Sequence, residues 1–176
     1  WKLPTGLNTR LGLAITSETP VTVFSKYNGE FDFVLFMATE PGKSGGTFNR
    51  VNFQRIRKFR NLFPEIKIHV DGGVNDEVSF VLRNMGVSLI VSGSYLVNAE
   101  YPGAAMHQLR SDNIQSHILV RDFMTMKEES PVVIKGKFGF RDILQAIENY
   151  NLGFTIVTTQ DNKLEGIITN ADVRRG

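Results

Sequence analysis

Four short apolar runs punctuate the first hundred residues, at 11–15, 33–37, 66–70 and 89–91. Each is mostly aliphatic rather than alternating with polar positions, the pattern of strands buried on both faces of a parallel sheet. Between them, 51–63 carries Phe53, Ile56, Phe59 and Phe63 at roughly helical spacing, and 75–85 opens on Asn75-Asp76-Glu77, an N-cap followed by an acidic first turn. A shorter helical stretch is expected at 20–27. Strands and helices alternating in this way predict βαβ units. After a linker-like stretch at 99–116, with a short helix expected at 104–110, the pattern changes. Strands are expected at 118–120, 132–134, 154–158 and 164–169, with a helix at 140–150 and a polar turn at Gln160-Asp161-Asn162-Lys163.

The glycine-rich segments all follow strand ends: 41–46 after the second, Gly72-Gly73 after the third, Gly93-Ser94 after the fourth. In α/β folds that end of the sheet is the functional rim. Four βα units fill only half of an eight-strand barrel, which takes about 250 residues. The expected fold class is therefore α/β: a partial, half TIM-type β/α barrel over 1–110 and a small α/β segment over 111–176. An open half-barrel leaves two edge strands unpaired, which proteins avoid. Either the chain pairs with another half, a homodimer being one such arrangement, or it is a fragment of a longer product.

Composition narrows the chemistry. Cysteine is absent from the 176 residues, which removes disulfides, thiolate metal sites and cysteine nucleophiles together and fits the reducing cytoplasm, the expected compartment. No apolar run approaches the ~18 residues of a membrane span, so no membrane partner is expected. The net charge of +2 is too small to argue for nucleic acid. The most basic run, Arg55, Arg57, Lys58 and Arg60, interleaves with the helical apolar positions and reads as a solvated basic helix face.

Three successive strands ending in glycine turns could present backbone N–H groups to a phosphate, or the glycines could serve only the turns themselves. Asp71 stands at the end of the third strand, immediately before Gly72 and Gly73. A carboxylate there can work as general acid/base, as a metal ligand, or simply as a helix N-cap.

At this point the motifs become specific. The stretches Gly12-Leu13-Ala14-Ile15, Thr19-Pro20, Val34-Leu35-Phe36-Met37, Glu40-Pro41-Gly42 with Gly45 and Phe48, Val70-Asp71-Gly72-Gly73-Val74-Asn75 and Val91-Ser92-Gly93-Ser94 resemble, in order and spacing, the C-terminal half of ribulose-phosphate 3-epimerase. The resemblance covers roughly residues 6–98. It implies a metal-dependent barrel that interconverts ribulose 5-phosphate and xylulose 5-phosphate, with a divalent metal, commonly zinc. It implies acid/base and metal-ligand roles for Asp71, and a place near the enediolate for Met37. Ser44, Gly45, Gly46, Gly72, Gly73, Gly93 and Ser94 would grip the phosphate of the sugar phosphate.

The departures are equally informative. The family's second acid/base aspartate and its histidine ligands come from early strands outside this chain. Its phosphate loop reads glycine-phenylalanine-glycine-glycine-glutamine, against Gly42-Lys43-Ser44-Gly45-Gly46 here. Lys43 could add a charge to the phosphate or point to solvent. His69 shares strand parity with Asp71 and is expected inside the barrel, as a core histidine rather than a ligand. One carboxylate cannot serve both faces of an enediolate, so alone the chain is expected to be a poor epimerase or none.

Residues 118–176 resemble a CBS domain, a nucleotide-sensing module. The resemblance rests on Val120-Arg121-Asp122-Phe123-Met124-Thr125, Ser130-Pro131-Val132-Val133 and the closing run Gly166-Ile167-Ile168-Thr169-Asn170-Ala171-Asp172-Val173. It implies an adenine nucleotide held by Val132 and Val133 at the base and by Thr169 and Asp172 at the ribose. The alternative is that Thr169 to Asp172 only cap a following helix. Such motifs work in pairs, and one is present. The competing reading of the whole chain is a non-catalytic phosphate- or nucleotide-binding regulatory module. A purine-nucleotide dehydrogenase, which also joins a barrel to CBS motifs, is set aside because its cysteine nucleophile is missing.

Overall fold

In the computed structural model, residues 9–27, 29–40, 42 and 45–175 are described. They form two compact units, with the break between Phe123 and Met124.

The first unit is built on a four-stranded parallel sheet in the order β1-β2-β3-β4, with β1 at Gly12–Thr16, β2 at Phe33–Met37, β3 at Lys67–Asp71 and β4 at Leu89–Val91. Its register aligns Thr16 with Met37, Met37 with Asp71, and Asp71 with Val91, so these four residues end their strands at one level. A 3-10 helix, Val21–Tyr27, joins β1 to β2; α1, Val51–Leu62, joins β2 to β3; α2, Asp76–Asn84, joins β3 to β4. The expected alternation is present, as is the α/β class with a parallel sheet of partial-barrel type; the described strands do not close a barrel.

Helix-side residues make the core. Val34, Phe36, Ile68 and Val70 are fully buried from the sheet, facing Phe53, Ile56 and Phe59 of α1. Phe59 meets Phe24 edge-on at 5.1 Å and Phe36 at 5.7 Å, pairs that add about 0.5–1.5 kcal/mol each beyond their buried area. On α2, Asn75 accepts the Val78 N–H at 2.9 Å, and Asp76 and Glu77 occupy the first turn. The helix ends where Gly86 takes φ +76°, letting the Val87 N–H reach the Leu82 carbonyl at 3.0 Å.

The opposite sheet face is uncovered. Phe33, Leu35, Met37, His69 and Asp71 are only half-buried there, and Leu89 and Val91 remain 46% and 43% exposed. In a closed barrel those positions fill the interior.

α3 (Ser94–Val97), α4 (Pro102–Gln108) and α5 (Val120–Phe123) complete the unit. The strand expected at 118–120 does not form. The Glu77 carboxylate accepts the backbone N–H of His117 and, at 2.6 Å, that of Ile118, together with the Ser116 hydroxyl. Asp122 accepts the Leu119 N–H at 3.0 Å and pairs with Arg50 at 2.7 Å. Side chains thus satisfy the donors a sheet would have used, Ile118 sinks into the core, and α5 starts instead. In the basic run of α1, Lys58 is exposed as expected, but two arginines turn back onto the fold. Arg55 donates to the Thr16 carbonyl at 2.9 Å and to those of Ser17 and Thr19, and lies 5.6 Å from the Phe36 ring centroid; Arg60 donates to Gly86.

The second unit carries a three-stranded sheet, β5 (Val132–Ile134), β6 (Phe154–Thr158) and β7 (Leu164–Thr169), with β5–β6 parallel and β6–β7 antiparallel. α6, Phe140–Tyr150, packs against β5 and β6, and α7, Asn170–Arg175, follows β7 directly.

Candidate active site

The C-terminal ends of β2, β3 and β4 surround a cavity of about 270 Å³. Met37, Asp71 and Val91, aligned by the strand register, face it together with Gly42, Gly45 and Gly46 from the β2–α1 loop. Gly72, Gly73, Gly93 and Ser94 complete the rim. Of the expected site residues in this unit, Ser44, like Lys43, lies outside the described residues; all the others line this one cavity.

Asp71 belongs to β3 and does not cap α2, since Asn75 does that. Its backbone carbonyl accepts the Ala38 N–H at 2.6 Å, which locks the strand end against β2. Its carboxylate makes no hydrogen bond or ion pair with the described residues, leaving both oxygens for chemistry at the cavity.

The glycines fall into two kinds. A Cβ on Gly72 would lie 2.6 Å from the Thr39 hydroxyl oxygen, and one on Gly73 would lie 2.2 Å from the Phe48 amide nitrogen. Both also have positive φ, so the approach of the two loops demands glycine there. Gly93 differs: its φ is −97° and a Cβ would meet nothing within 4 Å. Nothing in the fold requires glycine at 93, although it opens α3 on the cavity rim.

Around the rim, Ser92 donates to the Val74 carbonyl at 2.7 Å and joins the β3 and β4 loops. Ser17 donates to the Met37 carbonyl at 3.4 Å and accepts from the fully buried Asn52 at 3.0 Å. Arg55, through its three carbonyl contacts, holds the β1 loop beside β2. Burial lowers the pKa of its guanidinium, with Glu18 opposing. Sequence spacing hid Arg55 because a helix-surface arginine pattern looks the same whether its tip reaches water or carbonyls.

His69 sits one layer below Asp71 and stacks on Phe33 with ring centroids 4.1 Å apart. Burial, and then nearby Lys67, lower its pKa. Among the described residues no group of three or more His, Asp or Glu side chains comes together, so Asp71 stands there without the further donors that a divalent metal takes.

A family model described as the ribulose-phosphate 3 epimerase family matches residues 5–97. The chain belongs to the ribulose-phosphate 3-epimerase family. It is 30% identical over 101 residues to a ribulose-phosphate 3-epimerase of Schizosaccharomyces pombe, covering 57% of this chain and 44% of that protein. It is 34% identical over 104 residues to a rice (Oryza sativa subsp. japonica) protein named as the cytoplasmic isoform of ribulose-phosphate 3-epimerase, covering 57% and 46%. Against the Methanocaldococcus jannaschii ribulose-phosphate 3-epimerase the figures are 31% over 117 residues, 64% and 49%. The chain spans about half the length of the curated relatives it matches. Within the described residues no helix is long and apolar enough to cross a membrane.

In the second unit, Thr169 and Asp172 are brought together, with the Asp172 carboxylate accepting the Thr169 N–H and hydroxyl at 2.8 Å each. The Asp172 N–H returns a bond to the Thr169 hydroxyl at 3.3 Å, so the pair caps α7. These bonds lower the Asp172 pKa, the backbone bond contributing most. Val132 and Val133 lie in β5, Val133 buried, two strands from Thr169.

Proposed function

We propose that the first unit is the late-strand half of a pentulose-phosphate 3-epimerase site, and that epimerisation needs an early-strand half as well. The observation that carries this is the convergence of Asp71, Met37 and three glycine turns on one cavity. Exchange of configuration next to a ketone removes a proton from one face of the substrate and returns one to the other through a planar enediolate. Asp71, with an unencumbered carboxylate at the strand end, is suited to one of those transfers. Met37, level with it on β2, gives the enediolate an apolar neighbour. The rim amides, including those of Gly93 and Ser94 opening α3, suit the phosphate.

Glu40 is the other carboxylate lining this cavity; the family that the sequence resembles takes its second proton carrier from the early strands, and that role is assigned to the early-strand half. A divalent metal, zinc in the family as the sequence resembles it, would likewise take its remaining ligands from that half, with Asp71 as this chain's donor; it would stabilise negative charge on the enediolate oxygen. A second copy of the chain pairing along β1 and β4 would close the sheet edges. So would early strands belonging to the same polypeptide. The cytoplasm, named for the rice relative, is the proposed compartment.

The test is a coupled assay converting D-ribulose 5-phosphate to D-xylulose 5-phosphate, run on the chain alone and mixed with an early-strand half from a relative. Activity in the mixture that Asp71→Asn abolishes is the expected result. Activity untouched by that substitution would remove Asp71 from the mechanism.

A second reading applies to the second unit alone: a CBS-type motif sensing an adenine nucleotide. The adjacency of Thr169 and Asp172 supports it, although a ribose would have to displace the bonds that cap α7. Calorimetry with AMP and ATP on the wild type and on Asp172→Ala tests it, and an equal heat from both proteins would reject the assignment.

A further inference from the structure

Asn52 is a polar residue in an apolar place. It lies in the first turn of α1, fully buried, and its Oδ1 has no hydrogen-bond partner among the described residues. A buried amide oxygen left unpaired is a cost to folding that an apolar side chain of the same shape would avoid. Helix capping does not account for it, because the Asn49 side-chain oxygen already takes the Val51 N–H at 3.2 Å. What Asn52 uses is its Nδ2, which donates to the Ser17 hydroxyl and to the Asn49 carbonyl, each at 3.0 Å. A carbonyl can only accept, which fixes the amide with Nδ2 on that side.

Both branches end on the same piece of backbone. Ser17 donates to the Met37 carbonyl at 3.4 Å, and the Asn49 N–H donates to the Ala38 carbonyl at 2.9 Å. Between those two carbonyls lies the Ala38 N–H, which donates to the Asp71 carbonyl at 2.6 Å. Ala38 is itself fully buried. The main-chain segment that meets Asp71 is therefore gripped on either side, through Ser17 from the β1 loop and through Asn49 from the β2–α1 loop, and one amide group holds both grips. Arg55 steadies the first by donating to the Thr16 carbonyl at 2.9 Å and to that of Ser17.

We propose that Asn52 and Ser17 are positioning residues for Asp71: by bracing the Met37–Ala38 peptide from two loops, they fix where the end of β3 presents its carboxylate to the cavity. This rests on the reading of Asp71 as a proton carrier. Neither side chain lines the Asp71 cavity, so each acts through the backbone. A reacting group displaced by about 1 Å can lose on the order of 10²-fold in rate although the group itself is intact.

Ser17→Ala cuts one branch, Asn52→Leu cuts both while keeping the side chain's shape, and Ser17→Thr keeps the hydroxyl. In the full chain, the Ala38 amide is expected to exchange with solvent at least about ten-fold faster in Ser17→Ala and Asn52→Leu, while the Phe36 and Val70 amides stay within about two-fold of wild type. Ser17→Thr should match wild type. In the coupled assay with an early-strand half, Ser17→Ala is expected to lower kcat at least about ten-fold and leave KM for D-ribulose 5-phosphate within about two-fold. Ala38 exchange that is unchanged, or that rises only in step with Phe36 and Val70, would overturn the positioning role. So would an unchanged kcat where Asp71→Asn abolishes activity. Activity that survives Asp71→Asn would instead overturn the reading of Asp71 itself.

Discussion

The two units of this chain place their apolar residues very differently. The first buries an aromatic cluster, Phe24, Phe36, Phe53 and Phe59, all fully inaccessible, between sheet and helices. The second buries Val133, Ile147 and Pro131, and completes its interior with Thr155 and Thr158. The Thr155 hydroxyl is satisfied by the Pro131 carbonyl at 2.8 Å, whereas the Thr158 hydroxyl has no partner among the described residues. Meanwhile Phe140 and Ile167 remain 61% and 56% exposed. A half-barrel can thus hold its shape through helix-side packing although its inner face is bare. The second unit has much less to hold it, and a segment of its size is marginal by itself.

That contrast can be broken by substitution. Phe59→Ala in the first unit is expected to cost about 3–5 kcal/mol, against about 2–4 kcal/mol for Ile147→Ala in the second. Denaturant unfolding followed by NMR resolves the two units. If Ile147→Ala unfolded β1 to β4 along with β5 to β7, the units would be one cooperative block. Gly73→Ala comes next: a left-handed backbone and a Cβ driven into Phe48 predict a loss of at least about 1–3 kcal/mol. Gly93→Ala, by contrast, is expected to change stability by less than about 0.5 kcal/mol while weakening phosphate binding. A glycine that the fold does not need but the ligand does would show that split.

The smallest effect concerns pH. Glu77, which holds the segment at 116–118, has its pKa lowered: hydrogen bonds from Ser116, Ile118 and His117 outweigh burial, which acts in the opposite direction. A depressed carboxylate contributes stability that is present above its unfolded value, about 4.3, and lost as pH falls through the folded one. Wild type should therefore lose stability in acid more steeply than Glu77→Gln, measured by thermal melts from pH 6 to pH 3. Parallel curves would remove Glu77 from the account.

What the sequence made legible follows the range of the forces involved. Strands β2 and β4 and the strands and long helix of the second unit lie where apolar runs predict them, and β1 and β3 are displaced by one residue. Burial on the helix side is a local pattern, so it is readable. The stretch at 118–120 was misleading because Glu77, some forty positions earlier, takes its backbone donors. Arg55 eluded the pattern for the same reason, its carbonyl partners lying on another strand's loop. At the rim, the Asp71-Gly72-Gly73 motif was visible, but two reasons for glycine were superimposed. Only the close approach of Thr39 and Phe48 separates Gly72 and Gly73, which the fold requires, from Gly93, which it does not.

The central claim is that the glycine rim of the Asp71 cavity binds a sugar phosphate. Titrating D-ribulose 5-phosphate into the isotopically labelled chain and following backbone amide NMR shifts tests it most directly. The account predicts that Gly45, Gly46, Gly72, Gly73, Gly93 and Ser94 shift together with a single saturation curve. Shifts confined to other parts of the chain, or none at millimolar ligand, would contradict it.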